Sequence, residues 1–383
     1  MASKNLAIPF LNHLTAERFL REYWQKKPLL IRGAFPDFDA PLAPQEVLAL
    51  AARDDVESRL ITHRGREWQL QHGPLSGRDL KAARGSAWTV LLQDTQHFSA
   101  AAHDLLSQFD FIPRARIDDL MVSYAVKGGG VGPHFDSYDV FLLQGEGKRR
   151  WQIAERCDLT LKPDMPLKIL SRFKAEQEWV LEKGDMLYLP PSVAHNGIAV
   201  TDLCLTWSIG FRAPSAQELS TAFLDFLRDE LSLPGLYADP DLQATRHPAQ
   251  IDPAMMTRMA RMLKDVASAA AQPAHRQTFI GRYLTEPKSH VFFDSPEEPL
   301  STAAFRRVAR RSGLRLDLKT RMLYVGPQFF MNGEQLAALR NEATLLKRLA
   351  DRRLLAASAL QAATDGLVDA LHPAYCDGWL HLA

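Results

Sequence analysis

Gly128-Gly129-Gly130-Val131-Gly132-Pro133-His134-Phe135-Asp136 is the stretch on which the reading of this chain turns. In an extended backbone, residues i and i+2 project to one face, so His134 and Asp136 can grip one ion side by side. A third donor must come from a distant strand. His195 fits, because it follows Glu182-Lys183-Gly184-Asp185-Met186-Leu187-Tyr188-Leu189-Pro190-Pro191, which reads as a turn, a strand and a proline-rich strand end. Two imidazoles and one carboxylate on one face leave three adjacent coordination positions free. That is the arrangement of non-haem Fe(II) oxygenases, which bind cosubstrate and dioxygen together. A bare His-x-Asp is common; the glycine run before it, the Gly-Asp turn and the later histidine make the set specific. His63, His72, His97 and His103 read as structural. The glycine run lacks the Lys-Ser/Thr of a phosphate loop and opens a strand rather than a helix. A flexible turn or a substrate-facing lip is expected there.

Working outward, short strands are expected at residues 28–32, 57–63, 87–93, 120–126, 149–154, 179–181, 186–189 and 204–211, separated by Gly and Pro. Many short strands at modest spacing predict a barrel or sandwich. Strand alternation then sorts the basic run Lys148-Arg149-Arg150. Arg149, Trp151 and Ile153 share an apolar, inward face; Lys148, Arg150 and Gln152 share the wetter one. A guanidinium among inward apolar neighbours needs an anion and can hold a carboxylate through two parallel hydrogen bonds. Arg149 is therefore the candidate for the distal carboxylate of 2-oxoglutarate, the bland alternative being a salt bridge to a barrel acid. Thr206 and Ser208 lie on the small face of 204–210, opposite Leu205, Trp207 and Ile209. Ser208 and Ser123 are candidate cosubstrate contacts, or satisfied core hydroxyls.

Composition excludes little and narrows some. The 383 residues are long enough for two or three domains. A net charge of +1 gives no global pull toward nucleic acid or membrane. Cys157, Cys204 and Cys376 are far apart and odd in number, against a disulfide framework or a cysteine-zinc site. The first residues are polar too soon for a signal peptide, and no apolar run approaches the ~20 residues that span a bilayer. A cytoplasmic, reduced, multidomain protein is expected.

The texture changes at Pro214. Ser215 and Glu218 have capping-box spacing, and Leu219, Phe223, Phe226 and Leu227 recur at helical period. Asp252-Pro253 opens another helix, behind which Met255, Met256, Met259, Met262, Leu263 and Val266 form a stripe that reads as core or as a dimer interface. From about 277, a helix at 302–311, strands near 314–318 and 322–325 and a helix at 334–350 suggest a winged-helix-like module. The expected domains are 1–213, 214–273 and 274–383. Residues 301–322 carry seven Lys/Arg against Asp317, a cluster that could meet phosphates or simply be a solvated face.

With these residues in hand, the chain resembles the JmjC-type oxygenases, and among them the bacterial ribosomal oxygenases. The matching segments are Trp24-Gln-Lys-Lys-Pro-Leu-Leu-Ile-Arg32, Gly128 through Phe141, Gln144-Gly-x-Gly-Lys-Arg-Arg-Trp151, Gly184-Asp-Met-Leu-Tyr-Leu-Pro-Pro191 with His195, and Ser208 through Pro214. The likeness is close over the catalytic half and looser beyond it. It implies an α+β protein: a double-stranded β-helix (jelly-roll or cupin), a helical dimerising region and a C-terminal winged helix. It carries His134, Asp136 and His195 over as iron ligands and Arg149 as the 2-oxoglutarate anchor. It further implies hydroxylation of an arginine β-carbon in a large-subunit ribosomal protein, the eukaryotic relatives acting on histidine. Tyr138 and Asp139 are then possible contacts for a guanidinium, or equally a core aromatic and a turn acid. Two rival readings stay open: a 2-oxoglutarate oxygenase acting on RNA or a small molecule, and a cupin that binds a ribosomal partner without turnover.

Overall fold

A computed structural model describes residues 7–65, 67–232, 234–337 and 342–383. By contact density the chain divides into two units, residues 1–213 with 288–292, and residues 214–287 with 293–383.

The first unit is built on strands β1 (Leu29–Ile31), β2 (Ser58–Arg64), β3 (Glu67–His72), β4 (Ala87–Leu92), β5 (Ile117–Ala125), β6 (Val140–Glu146), β7 (Arg149–Ala154), β8 (Gln177–Leu181), β9 (Met186–Leu189), β10 (Ala194–Ala199) and β11 (Cys204–Phe211). Eight pair in the order β1-β9-β6-β11-β5-β4-β2-β3, and three in the order β10-β7-β8. All these pairings are antiparallel. Alternation sends successive residues of one strand into different cores. Phe141, Leu143, Tyr188, Trp207 and Ile209 pack with Phe19 and Val47 of two N-terminal helices and with Phe109 of a turn. Val140, Leu142, Leu187 and Leu189 instead meet Trp151, Ile153 and Leu181 from the smaller sheet. Two sheets closing on that inner face make the double-stranded β-helix.

The glycine run departs from expectation. Gly129, Gly130 and Gly132 are buried. A Cβ at Gly129 would lie 2.3 Å from the Trp88 carbonyl oxygen, and one at Gly130 would lie 2.4 Å from that of Gly197. These glycines permit close backbone approach; the segment is a packed seam, not a flexible turn. Nor do His134 and Asp136 sit on a regular strand. His134 forms an isolated bridge with His195, and the backbone then turns away.

In the second unit, helices Ala216–Glu230 and Pro253–Ala270 begin as expected, capped by Ser215 and Asp252. The capping box is only half made, because the Glu218 carboxylate accepts from the Tyr283 hydroxyl at 2.6 Å. Met256, Met259, Met262 and Leu263 are 55, 43, 43 and 68% exposed, so this stripe is not core of its own unit. The expected helix at 334–350 is corrected. Glu334–Gln335 closes a hairpin on Gln328–Met331, and the helix runs Ala343–Arg352; residues 338–341 of that expectation lie outside the described residues. Asn332 (φ 48°) and Gly333 (φ 88°) supply the positive φ angles of the turn. The three cysteines form no disulfide. Among the described residues no helix is long and apolar enough to cross a membrane.

Segment 288–292 brings a charged cluster to the first unit. Burial alone would raise the Asp94 pKa, but the His290 hydrogen bond and the Lys288 charge outweigh it and hold it below the usual carboxylate range. Its contribution to stability is therefore present above about pH 4 and lost as pH falls through the folded value. The Asp94 hydrogen bond raises the His290 pKa, so that contribution is full below the ordinary value of 6.5 and lost as pH rises through the folded one. In thermal melts across pH, Asp94→Asn is expected to flatten the acid limb and His290→Gln the limb above pH 6.5. Unchanged limbs in both would show that the cluster is not coupled to folding.

Candidate metal centre

His134 and His195 are brought together by main chain. The His134 N–H donates to the His195 carbonyl at 2.9 Å, and the His195 N–H returns the bond at 2.8 Å. The Ser192 N–H donates to the Asp136 carbonyl at 2.8 Å, tying the third residue to the turn before β10. Both rings are oriented alike: Nδ1 of His134 lies 2.9 Å from the Gly132 carbonyl and Nδ1 of His195 lies 3.0 Å from that of Val193. A protonated Nδ1 donating to a carbonyl leaves the Nε2 lone pair for a metal, the usual outer support of a ligating histidine. His195 Nε2 is 3.6 Å from Asp136 Oδ2. One donor atom from each of the three residues lies within 4.8 Å of the others. Burial first, and then the neighbouring His134, push the His195 pKa down to about 4, so its ring is neutral and ligand-ready at physiological pH.

Arg149 projects inward from β7 and is 3% exposed, beside Trp151. Its Nε and Nη2 have no hydrogen-bond partner, and its guanidinium lies within 6 Å of the Trp151 ring. An unpaired buried guanidinium is costly unless a ligand anion completes it. A dicarboxylate that chelates an ion with one end and meets Arg149 with the other suits this donor set. Ser208 is buried on the inner face, cross-strand from Leu142. Ser123 is buried too, its Oγ donating weakly to the Thr206 carbonyl at 3.5 Å.

Tyr138 and Asp139 separate. Asp139 is fully buried on the outer face. It accepts from the Tyr188 hydroxyl at 2.6 Å, from Gln25 Nε2 at 2.9 Å and from Arg116 at 3.5 Å. That carboxylate clamps the N-terminal segment to the barrel and is not a substrate contact. Tyr138 stays at the site: burial, and then the charges of Asp136 and Asp119, raise its phenol pKa.

The residue that sequence reading missed is Asp119. It is 7% exposed, and its Oδ2 has no partner. Gly210 keeps the space beside it open, since a Cβ there would stand 3.0 Å from Asp119 Oδ1 and 4.0 Å from the Tyr138 ring. The signal was available: 119, 121 and 123 alternate onto the inner face of β5, but the strand was started at 120.

Comparison with known proteins now bears on this geometry. Residues 104–219 match the JmjC domain model, and residues 264–381 match the ROXA-like winged helix. The Escherichia coli ribosomal protein uL16 3-hydroxylase is 33% identical over 320 residues, covering 83% of this chain and 84% of that one. The chain belongs to the JmjC-domain ribosomal oxygenases. A probable ribosomal oxygenase from Haemophilus influenzae is 40% identical over 246 residues, covering 63% of this oxygenase and 58% of the relative. The crystal structure of E. coli YcfD superposes with a TM-score of 0.83 at 32% identity, over 96% of this oxygenase and 98% of YcfD. YcfD in complex with cobalt and 2-oxoglutarate gives a TM-score of 0.80 at the same identity and coverage.

Proposed function

We propose that this oxygenase binds Fe(II) through His134, Asp136 and His195, anchors 2-oxoglutarate on Arg149, and hydroxylates the β-carbon of an arginine in a large-subunit ribosomal protein. The observation that carries the reading is the pairing of an open three-donor cluster with a buried guanidinium whose Nε and Nη2 lack partners. When bound, iron and 2-oxoglutarate supply the oxidant, dioxygen being divided between succinate and the hydroxylated side chain with loss of CO₂. The chain does the rest. Ser123 and Ser208 offer hydroxyls to the cosubstrate, and the inner-face core keeps water from it. Asp119 and Tyr138 support a cationic target: an acid with a free oxygen, next to an aromatic face, matches a guanidinium. The uL16 activity of the E. coli relative supports the target class. Such a target would place the work in the cytoplasm.

This role for Asp119 has a pH signature. Burial pushes its pKa up to about 7, with Lys288 opposing and the Asp94 and Asp118 charges adding. A guanidinium needs the ionised form, so KM for the protein target should fall as pH rises through that value, up to about tenfold per unit below it. Asp119→Asn should flatten the profile. A parent KM that ignores pH would remove Asp119 as the acceptor.

The exposed Met256, Met259, Met262 and Leu263 support a homodimer through region 214–273; light scattering that returns a monomer would remove that part. Less supports RNA at residues 301–322, because Arg306 is paired with Asp365 and Asp369 and Arg310 with Asp365. Succinate release decides among the readings: large-subunit ribosomal proteins should stimulate it and RNA should not. A non-catalytic cupin would release none.

A further inference from the structure

Residues 288–292 belong to the oxygenase unit by contact, although they are remote from it in sequence. Lys288 Nζ lies 3.1 and 3.2 Å from the two oxygens of Asp94 and 3.4 Å from Asp118 Oδ1. His290 sets Nε2 3.0 Å from Asp94 Oδ2 and Nδ1 3.5 Å from Glu57. Asp94 itself is buried and left-handed, with φ 51° and ψ 35°. Aspartate visits that conformation more readily than most residues with a Cβ, and here its buried side-chain contacts hold it there. Its side chain meets Lys288 and His290 and accepts from Gln96 Nε2 at 3.2 Å. The turn after it is stitched to β5 beside Asp119: the Thr95 hydroxyl donates to the Leu120 carbonyl at 2.6 Å, and the Leu120 N–H donates to Gln96 at 2.9 Å.

We infer that Lys288 and His290 form a strap that positions Asp119 for a cationic side chain by clamping the Asp94 turn. The inference rests on the reading of Asp119 as the target's acceptor. Its physical basis is the gathering of Asp94, Asp118 and Asp119 in one place. A buried carboxylate without a countercharge must rearrange or take a proton. With Lys288 present, Asp94 and Asp118 are compensated and Asp119 keeps a free oxygen. Without it, Asp94 and Asp118 lose their shared cation, and the turn that Thr95 and Gln96 tie to β5 is free to shift beside Asp119. No hydrogen bond of the strap reaches His134, Asp136, His195 or Arg149, so metal and cosubstrate binding should not register the change. Lys288 is thus a positioning residue.

The test uses the full chain with Fe(II) and 2-oxoglutarate under argon, and purified E. coli uL16 as the probe. Lys288→Met is expected to raise the Kd for uL16 about tenfold and to leave that for 2-oxoglutarate within about twofold; Lys288→Arg should restore most of the loss. Because Lys288 acts through Asp119, the double variant with Asp119→Asn should bind no worse than Asp119→Asn alone. Multiplying effects, or an unchanged uL16 Kd in Lys288→Met where Asp119→Asn raises it, would overturn the strap and leave the target reading standing. An ineffective Asp119→Asn would bring down the target reading, and the strap's purpose with it. Hydrogen exchange of the Leu120 amide, which donates to Gln96 of this turn, reads the clamp separately without any target: about tenfold faster in Lys288→Met if the strap holds it, unchanged if it does not. Should Lys288→Met fail to fold, His290→Gln gives the same two readouts, with an expected loss of about threefold in uL16 affinity and the same overturning result.

Discussion

Asp136→Ala is expected to remain folded, to lose Fe(II) on gel filtration, and to turn over at no more than about a thousandth of the parent rate. The side chain is partly solvent-exposed and lies outside the hydrophobic cores, so its loss should leave the barrel intact. It does remove the one carboxylate among three donors, and two neutral imidazoles hold a divalent ion less well than two imidazoles with a charge. Because the bound groups carry the oxidation, losing the ion leaves nothing for the rest of the site to act with. His134→Ala should behave the same way. Metal content by mass spectrometry, beside circular dichroism for the fold, checks both halves. A variant that keeps one iron per chain and normal turnover would show that these three residues are not the ligands.

Arg149→Met is expected to weaken 2-oxoglutarate by at least about 30-fold and up to several thousandfold, the range for truncating one partner of a buried, hydrogen-bonded charge pair. The sign of its effect without cosubstrate is the sharper check. If Arg149 served a structural ion pair, removing it would destabilise the empty protein. Its Nε and Nη2 are unpartnered, so the methionine variant should melt no lower than the parent and should lose the stabilisation that 2-oxoglutarate confers. Arg149→Lys should recover little, since an ammonium cannot make two parallel bonds to a carboxylate. Calorimetric titration and thermal shift read the two effects; an unchanged cosubstrate Kd would contradict the assignment.

Much of this was legible in the residues, for reasons that can be named. His134, Asp136 and His195 announce themselves because a short donor spacing and a Gly-Asp-strand-Pro-Pro signal are local patterns. Arg149 was found because its strand buries one face and wets the other, and the observed burial alternates over Arg149–Ile153. In the first unit, three strands were missed where that contrast fails. β6 is buried on both faces over most of its length, β3 is a polar edge, and β10 carries Gly197 among mostly small and polar residues. Asp139 stayed open between a substrate contact and a turn acid because nothing local shows that Tyr188, Gln25 and Arg116 converge on it from distant segments. Lys288 and Asp94 are 194 positions apart, and the acids that neutralise Arg306 come from beyond residue 360. Long-range charge pairing leaves no periodicity to read.

The most direct measurement is the mass of purified E. coli uL16 after incubation with this oxygenase, Fe(II), 2-oxoglutarate and air. The expected product is uL16 heavier by one oxygen atom, located by fragmentation on the β-carbon of a single arginine, with one succinate formed per oxygen and none of it from His134→Ala. Unmodified uL16 beside an active 2-oxoglutarate turnover would contradict the target; modification that persists in the His134→Ala protein would contradict the site.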